Sequence, residues 1–310
     1  MSELNHPVVV GVDGTEANLG ALLFAVEEAC RRQVPLRLVH VVPERGIISP
    51  LVPITPLDLT DTGATVLRNA ERQVRIAVPD LNVETRLRHG SRATQLLHSA
   101  DDAAILVVGR DDRTGFDRML HGDTATAVAS RADLPVVEVP GDWRPGAAAH
   151  PSYGVVAVGL KSPAYADAVL ADAFADAEVL GAELLVLHAW KLPSGYDDVA
   201  ASDPAVAEWE REALAQVETL LRPWRVAYPD VAVRTEVVHE HPAQALVAAS
   251  GCADLVVVMR HVHGAPAVGH LGSVARALLR TAACPVRVVP PSETGVIPDL
   301  VLEEAGGLLA

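Results

Sequence analysis

Two stretches of this chain put groups suited to holding a small ligand, an anion among them, where a fold could use them. The first is Gly11-Val12-Asp13-Gly14-Thr15, where an unbroken apolar run ends in a carboxylate, a glycine and a hydroxyl. The second occurs twice. Residues 105–140 read ILVVGRDDRTGFDRMLHGDTATAVASRADLPVVEVP, and residues 255–290 read LVVVMRHVHGAPAVGHLGSVARALLRTAACPVRVVP. Each copy is an apolar run, a loop of about a dozen residues, a glycine, an amphipathic run and a proline leading into another apolar run, which is the pattern of strand, loop, helix and strand. Gly122 matches Gly272 and Pro135 matches Pro285 at the same offset. A loop of this kind sets backbone N–H groups at a helix start beside the C-terminal end of a parallel strand, where negative charge is favoured. Asp13 has two readings at this stage. It is a ligand-facing carboxylate at the mouth of a sheet, or a turn-forming residue that bonds its own backbone.

The elements needed to hold these groups follow in order. Val8–Val12 reads as a buried parallel strand. Thr15 is expected as the N-cap of a helix reaching about Arg32, with Leu19, Leu22, Ala25, Val26 and Ala29 on its buried stripe. A second strand is expected at Leu36–Val42. Pro43 to Gly63, with four prolines, reads as a long excursion. Helix 64–78, strand 83–87, a helix opened by Gly90-Ser91-Arg92, strand 105–108 and strand 136–139 complete a β-α-β-α-β-α-β-α-β order. The second half repeats it with strands 155–158, 184–188, 231–237, 255–258 and 286–289 and helices 163–180, 206–221 and 243–250, with His188 in the place of His40. The expected class is therefore α/β, with two tandem five-stranded parallel doubly wound domains of Rossmann-like type. The boundaries are 1–141 and 152–291, joined by the Gly-, Pro- and Ala-rich segment 141–151. The tail, 292–310, is a frayed end or a short docking segment.

Composition narrows the function. The formal charge of −15 over 310 residues argues against general nucleic-acid binding. Aromatic residues make up 4% of the chain, so an aliphatic core is expected. Cys30, Cys252 and Cys284 lack CxxC spacing and are expected as buried, reduced thiols. No apolar run reaches a membrane span of about 18–20 residues. The N-terminus lacks a signal peptide's basic and apolar regions, so a cytoplasmic location is expected. His239, His241, His261, His263 and His270 crowd the second half, but their spacing matches no standard zinc set, and solvated loop histidines are expected. GxGxxG, GxxxxGK[ST] and GxSxG are all missing, which disfavours dinucleotide, P-loop and α/β-hydrolase enzymes.

Taken together, VVVGVDGT, LVHVV, GSRATQLL, ILVVG and the Gly–Pro–strand ending resemble the universal stress protein family in its tandem form. So do LLVLHAW, HPAQALVAAS, DLVVV, GSVARALL and ACPVRVV in the second half. The resemblance covers roughly residues 6–290 and implies an adenine nucleotide alpha hydrolase-like fold. ATP-binding members carry G-x2-G-x9-G-[S/T] after the fourth strand. Here Gly109 and Gly122 keep the outer positions, Asp112 replaces the middle glycine, and Asp123 with Thr124 follows the last. In the second half Gly272-Ser273 is intact, but Met259 and Val262 replace the first two glycines. Leu160 is aligned with Asp13, and Lys161 follows it. The resemblance thus implies nucleotide contacts by Val12, Asp13, Gly14 and Val41 on the nucleoside side. On the phosphate side it implies Gly109, Arg110, Gly122, Asp123 and Thr124, with Gly272, Ser273 and Val274 in the second half. It also implies ATP with Mg²⁺ as ligand, an intramolecular pseudo-dimer paired through strands 136–139 and 286–289, and homodimer formation. Three functions stay open. They are a stress-response regulatory protein that binds nucleotide without turnover, a slow ATP-hydrolysing or nucleotidyl-transfer enzyme using a metal on Asp13 or Asp123, and a nucleotide-free interaction protein.

Overall fold

The structure is a computed structural model that describes residues 6–43, 56–110, 124–146, 152–161, 166–191, 205–260 and 271–291. It divides into two compact units, with the changeover between Pro151 and Ser152. Each is described by itself.

In the first unit, strands β1 (Val8–Gly11), β2 (Leu36–Val42), β3 (Val83–His89), β4 (Ile105–Gly109) and β5 (Val136–Val139) form a sheet in the order β3-β2-β1-β4-β5. Every pairing is parallel. The connecting helices are α1 (Leu19–Arg32), α2 (Pro56–Ala77), α3 (Arg92–Ser99) and α4 (Thr124–Ala129). The core is aliphatic, with Val8, Val10, Leu36, Leu38, Ile105 and Val107 from the sheet meeting Leu22, Ala25, Ala29, Leu67, Ala70 and Val74 from the helices. Residues 67, 70 and 74 recur at helical spacing, which is why α2 lies along the sheet on one face.

The second unit has the same plan. Its strands are β6 (Val155–Gly159), β7 (Glu183–Trp190), β8 (Val233–His239), β9 (Leu255–Met259) and β10 (Val286–Val289), in the order β8-β7-β6-β9-β10, again all parallel. Its helices are α5 (Ala166–Leu180), α6 (Ala205–Ala227), α7 (Pro242–Ala249) and α8 (Ser273–Thr281). The two tandem five-stranded doubly wound sheets are those expected from the sequence.

Several expectations are corrected. The excursion after β2 is shorter, because α2 already begins at Pro56. α6 runs past Pro223 to Ala227. Its last turns are held by aromatic packing that propensity does not register: Trp224 and Tyr228 stack on Phe174, with ring centroids 5.7 and 5.3 Å away. The second core is therefore not purely aliphatic. Cys30 and Cys252 are exposed, and only Cys284 is buried. Cys30 follows Ala29 but falls off the buried stripe of α1. The start of the expected linker is packed, with Trp143 edge-on to Phe24 at 5.6 Å. Residues 44–55 and 192–204 and the tail 292–310 lie outside the described residues.

Two local devices set the strand ends of the first unit. Arg37 on β2 is buried and donates to Glu84 of β3 at 2.9 Å, to the Ser99 carbonyl at 2.9 Å and to Asp102 at 3.0 Å. It ties β2, β3 and the end of α3 together. The Arg37 hydrogen bond holds the Asp102 carboxyl below its usual range, against a smaller opposing effect of burial. Gly63 in α2 explains a mid-helix glycine that would otherwise cost about 1 kcal/mol relative to Ala. A Cβ there would lie 2.8 Å from His40 Cδ2 and Val42 Cγ2 and 2.9 Å from Leu87 Cδ1.

Gly63→Val is expected to destabilise the chain by about 2 kcal/mol through overpacking, seen as a lower thermal midpoint despite the loss of a helix-weakening glycine. Asp102 contributes stability above the unfolded carboxyl pKa of about 3.9 and loses it as pH falls through its lower folded-state value. Asp102→Asn should therefore lower the midpoint at neutral pH, by less than about 1 kcal/mol because the side chain is largely exposed. It should also flatten the midpoint's decline below pH 4, as read by thermal melts across pH.

Candidate functional site

A cavity of about 620 Å³ lies at the C-terminal ends of β1, β2 and β4. This is the switch point of the first sheet, since the chain runs from β1 outward to β2 and β3 and returns to the other side at β4. Its lining includes Gly11, Val12 and Asp13 after β1, Val39, His40 and Val41 on β2, Gly109 and Arg110 after β4, Arg92 at the start of α3, and Thr124 at the start of α4.

Asp13 closes a turn and also stands at the mouth of the sheet. Its Oδ1 accepts the Thr15 N–H at 2.9 Å and the Thr15 hydroxyl at 2.7 Å, closing a turn in which Gly14 takes a φ of +82°. Its other oxygen makes no hydrogen bond among the described residues, and the residue lines the cavity. Thr15 starts a short 3-10 turn, Glu16–Asn18, as an extended N-cap residue, but its hydroxyl is spent on Asp13 and makes no cap bond.

Asn18, expected from the sequence only as the third helical residue after Thr15, supports this turn. Its Nδ2 donates to the Gly11 carbonyl at 3.0 Å and its Oδ1 accepts the Asp13 N–H at 3.2 Å. The side chain thus stands in for a strand neighbour where the backbone turns away. Gly109 is explained by the same amide, because a Cβ there would lie 3.0 Å from Asn18 Nδ2. The glycine's first service is to let Asn18 approach β4. An Asn five residues after the turn carboxylate is the signal that could have revealed the link.

The register of β2 leaves backbone groups facing the cavity. Gly11 pairs with Val39, and β2 continues three residues further, to Val42. The Val39 carbonyl accepts the Val12 N–H at 2.8 Å, and the Val42 carbonyl on the opposite side accepts the Gly90 N–H at 3.0 Å. Backbone groups two residues apart on a strand face the same side, so the Val41 N–H and carbonyl face the side of β1 beyond its end. His40 closes the corner with Nδ1 2.7 Å from the Val12 carbonyl. A carbonyl only accepts, so Nδ1 carries the hydrogen.

Arg110 lines the cavity but is committed. Its Nε and Nη2 donate at 2.7 and 3.0 Å to the two oxygens of the fully buried Glu138 on β5. Asp111, Asp112, Arg113, Asp117, Arg118, His121, Gly122 and Asp123 lie outside the described residues. Arg92 is the cation that sequence reasoning passed over. It was read only as a helix opener.

In the second unit Gly272 caps α8, Ser273 is its exposed first residue and Val274 is half-buried beside it. The alignment of Leu160 with Asp13 is corrected. Leu160 N–H donates to Leu187 at 3.0 Å as Val12 does to Val39, and His188 Nδ1 meets the Leu160 carbonyl at 3.0 Å as His40 meets Val12. Leu160 is thus the counterpart of Val12, and Lys161 that of Asp13. His241 is not simply solvated, since its Nδ1 accepts the Ala243 N–H at 3.3 Å and caps α7. His239 stacks on Trp190 with centroids 4.3 Å apart. His261, His263 and His270 lie outside the described residues. Among the described residues no group of three His, Cys, Asp or Glu side chains could hold a metal ion, and no helix is long and apolar enough to cross a membrane.

His40→Leu should remove the donor from the Val12 carbonyl, cost about 1 kcal/mol and speed amide exchange at residues 13–15. His40→Asn keeps an N–H donor near the Nδ1 position and should stay close to the parent in hydrogen-exchange mass spectrometry.

The comparisons with known proteins agree with this architecture. The model of the universal stress protein family matches residues 5–140 and again 152–290. A universal stress protein of Mycolicibacterium smegmatis is 31% identical over 299 residues, covering 94% of this chain and 99% of that protein. One from Mycobacterium tuberculosis H37Rv is 31% identical over 293 residues, covering 93% and 98%. The crystal structure of a universal stress protein from Archaeoglobus fulgidus shares the fold with a TM-score of 0.66 at 16% identity, over 93% of this chain and 97% of that one. Two matched segments, near-complete coverage of relatives and the two parallel sheets make this chain a tandem member of the universal stress protein family.

Proposed function

We propose that the cleft of the first unit binds an adenine nucleotide, ATP with Mg²⁺, and that the protein acts in the stress response by binding and not by turnover. The observation that carries this reading is the pairing of Val41's backbone groups with the second oxygen of Asp13 on one cavity. An adenine edge offers a donor and an acceptor side by side, which suits an N–H and a carbonyl on one extended residue. A ribose offers two hydroxyls, which suit a carboxylate oxygen that only accepts. The cavity of about 620 Å³ is within the range for small-ligand pockets. Val12 and Gly14 flank the carboxylate on the nucleoside side. Gly109, Arg110, Gly122, Asp123 and Thr124 are proposed for the phosphate side, with Arg92 supplying positive charge. Gly272, Ser273 and Val274 are the corresponding stretch of the second unit.

Mg²⁺ binds through one or two carboxylates plus substrate phosphates and keeps several waters. The described residues fit a metal brought in on the nucleotide better than one held by the protein alone. A homodimer in the cytoplasm, implied by the family resemblance, belongs to the same proposal, and sedimentation equilibrium with and without ATP reads the association. Slow hydrolysis or nucleotidyl transfer is the second reading, and it would need a general base or a metal at Asp13 or Asp123.

Equilibrium dialysis with ATP and Mg²⁺, followed by chromatography of the nucleotide, separates these readings. Bound and unchanged ATP is the expected result, with Asp13→Asn weakening binding at least tenfold while keeping the turn to Thr15. ADP or AMP accumulating with bound protein would support the enzyme, and no binding would leave the nucleotide-free interaction protein.

A further inference from the structure

The two units offer the same backbone frame with different side chains on it, and this allows position-by-position comparison. The exit of β1 and the exit of β6 are matched by two pairs of bonds, Val12 with Val39 and His40, and Leu160 with Leu187 and His188. β2 and β7 both run three residues past the glycine that ends the central strand, since Gly11 pairs with Val39 and Gly159 with Leu187. By the same alternation Ala189 presents the backbone groups that Val41 presents. The next helix is in register too, because a Cβ on Gly11 would meet Leu96 at 3.1 Å and one on Gly159 would meet Leu246 at 2.7 Å. Four residues earlier stand Arg92 and Pro242, each the first residue of its helix. At the return strand, Arg110 N–H bonds the Val139 carbonyl and Arg260 N–H bonds the Val289 carbonyl, both at 2.8 Å, so Gly109 corresponds to Met259.

Three differences stand out on this frame: Asp13 against Lys161, Arg92 against Pro242 and Gly109 against Met259. The first inverts a charge and the second removes one. A carboxylate accepts two hydroxyls, whereas an ammonium has three donors and no acceptor and cannot serve a diol in the same way. Losing the guanidinium removes a group suited to phosphate. The third puts a long side chain where the first unit has none.

We propose that the nucleotide is taken by the first unit alone, one per chain, and that Asp13 and its counterpart Lys161 are the main selector between two frames whose backbone matches. The proposal rests on the nucleotide reading above and adds stoichiometry and the selecting residue to it. A nucleoside with an accepting partner at the ribose binds where the carboxylate is. The second frame, with the same strand-end backbone, rejects it by side-chain chemistry.

The test is the number of ATP molecules bound per full-length chain, measured by equilibrium dialysis or isothermal titration with Mg²⁺. One equivalent is expected for the parent. Asp13→Lys should bind none, and Asp13→Asn, which keeps the turn, should bind at least tenfold more weakly. Lys161→Ala should still bind one with unchanged affinity, and circular dichroism melts identify any variant that has lost its fold. Two equivalents in the parent, or one equivalent retained in Asp13→Lys, would overturn this assignment while leaving nucleotide binding intact. No equivalent in the parent would overturn the nucleotide reading and this one together.

Discussion

The cleft exists because β1 stops three residues before its neighbour β2 does. That mismatch is set by one turn. Asp13 captures Thr15 through both backbone and hydroxyl, Gly14 adopts a left-handed conformation, and the chain leaves the sheet for α1. A strand end of this kind leaves an edge with unpaired donors and acceptors, which is costly when buried without partners. The protein satisfies part of that edge with side chains. Asn18 takes the Gly11 carbonyl and the Asp13 N–H, and His40 takes the Val12 carbonyl. What remains is the short stretch of β2 around Val41, with a carboxylate across from it.

The rest of the first unit keeps this edge in place. Arg37 binds β2 to β3 and to the end of α3 from below. Gly63 lets α2 lie directly on His40 and Val42, fixing the imidazole that holds the turn. Arg110 and Glu138 join the ends of β4 and β5 in a buried ion pair, which is costly to form and costlier to break on one side. In the second unit a different clasp holds the opposite end of the sheet. Asp254 accepts the N–H groups of Tyr153 at 2.8 Å and Val155 at 3.1 Å. The shared fold therefore does not imply shared electrostatics at the strand ends.

Much of the architecture was legible because buried parallel strands read as runs rich in Val, Ile and Leu, repeated in the same order in both halves, while β3 and β8 alternate with charged residues. The strand-end role of Asp13 was legible for the same reason, since the residue after such a run is at the sheet's mouth. Less visible were features that depend on tertiary contact. Helix α6 passes Pro223 because Trp224 and Tyr228 find Phe174, a partner more than forty residues away. The resemblance puts Arg110 on the phosphate side, but its partner Glu138 comes from the adjacent strand and cannot be seen among its neighbours in sequence. The equivalence of Lys161 with Asp13 was misplaced by one residue, because sequence spacing alone does not show which residue follows the strand-end carbonyl. The paired bonds of His40 and His188 do.

The central claim is that the Val41 N–H is left open by the sheet and closed by a nucleotide. The most direct measurement is hydrogen exchange and chemical shift of the backbone amides by NMR, residue by residue, before and after ATP with Mg²⁺ is added. The account predicts that the Val41 amide exchanges faster than that of Val39 in the free protein, and that it shifts and becomes protected on addition of nucleotide, while that of Ala189 does neither. A Val41 amide already protected without ligand, or unmoved by saturating ATP, would contradict it.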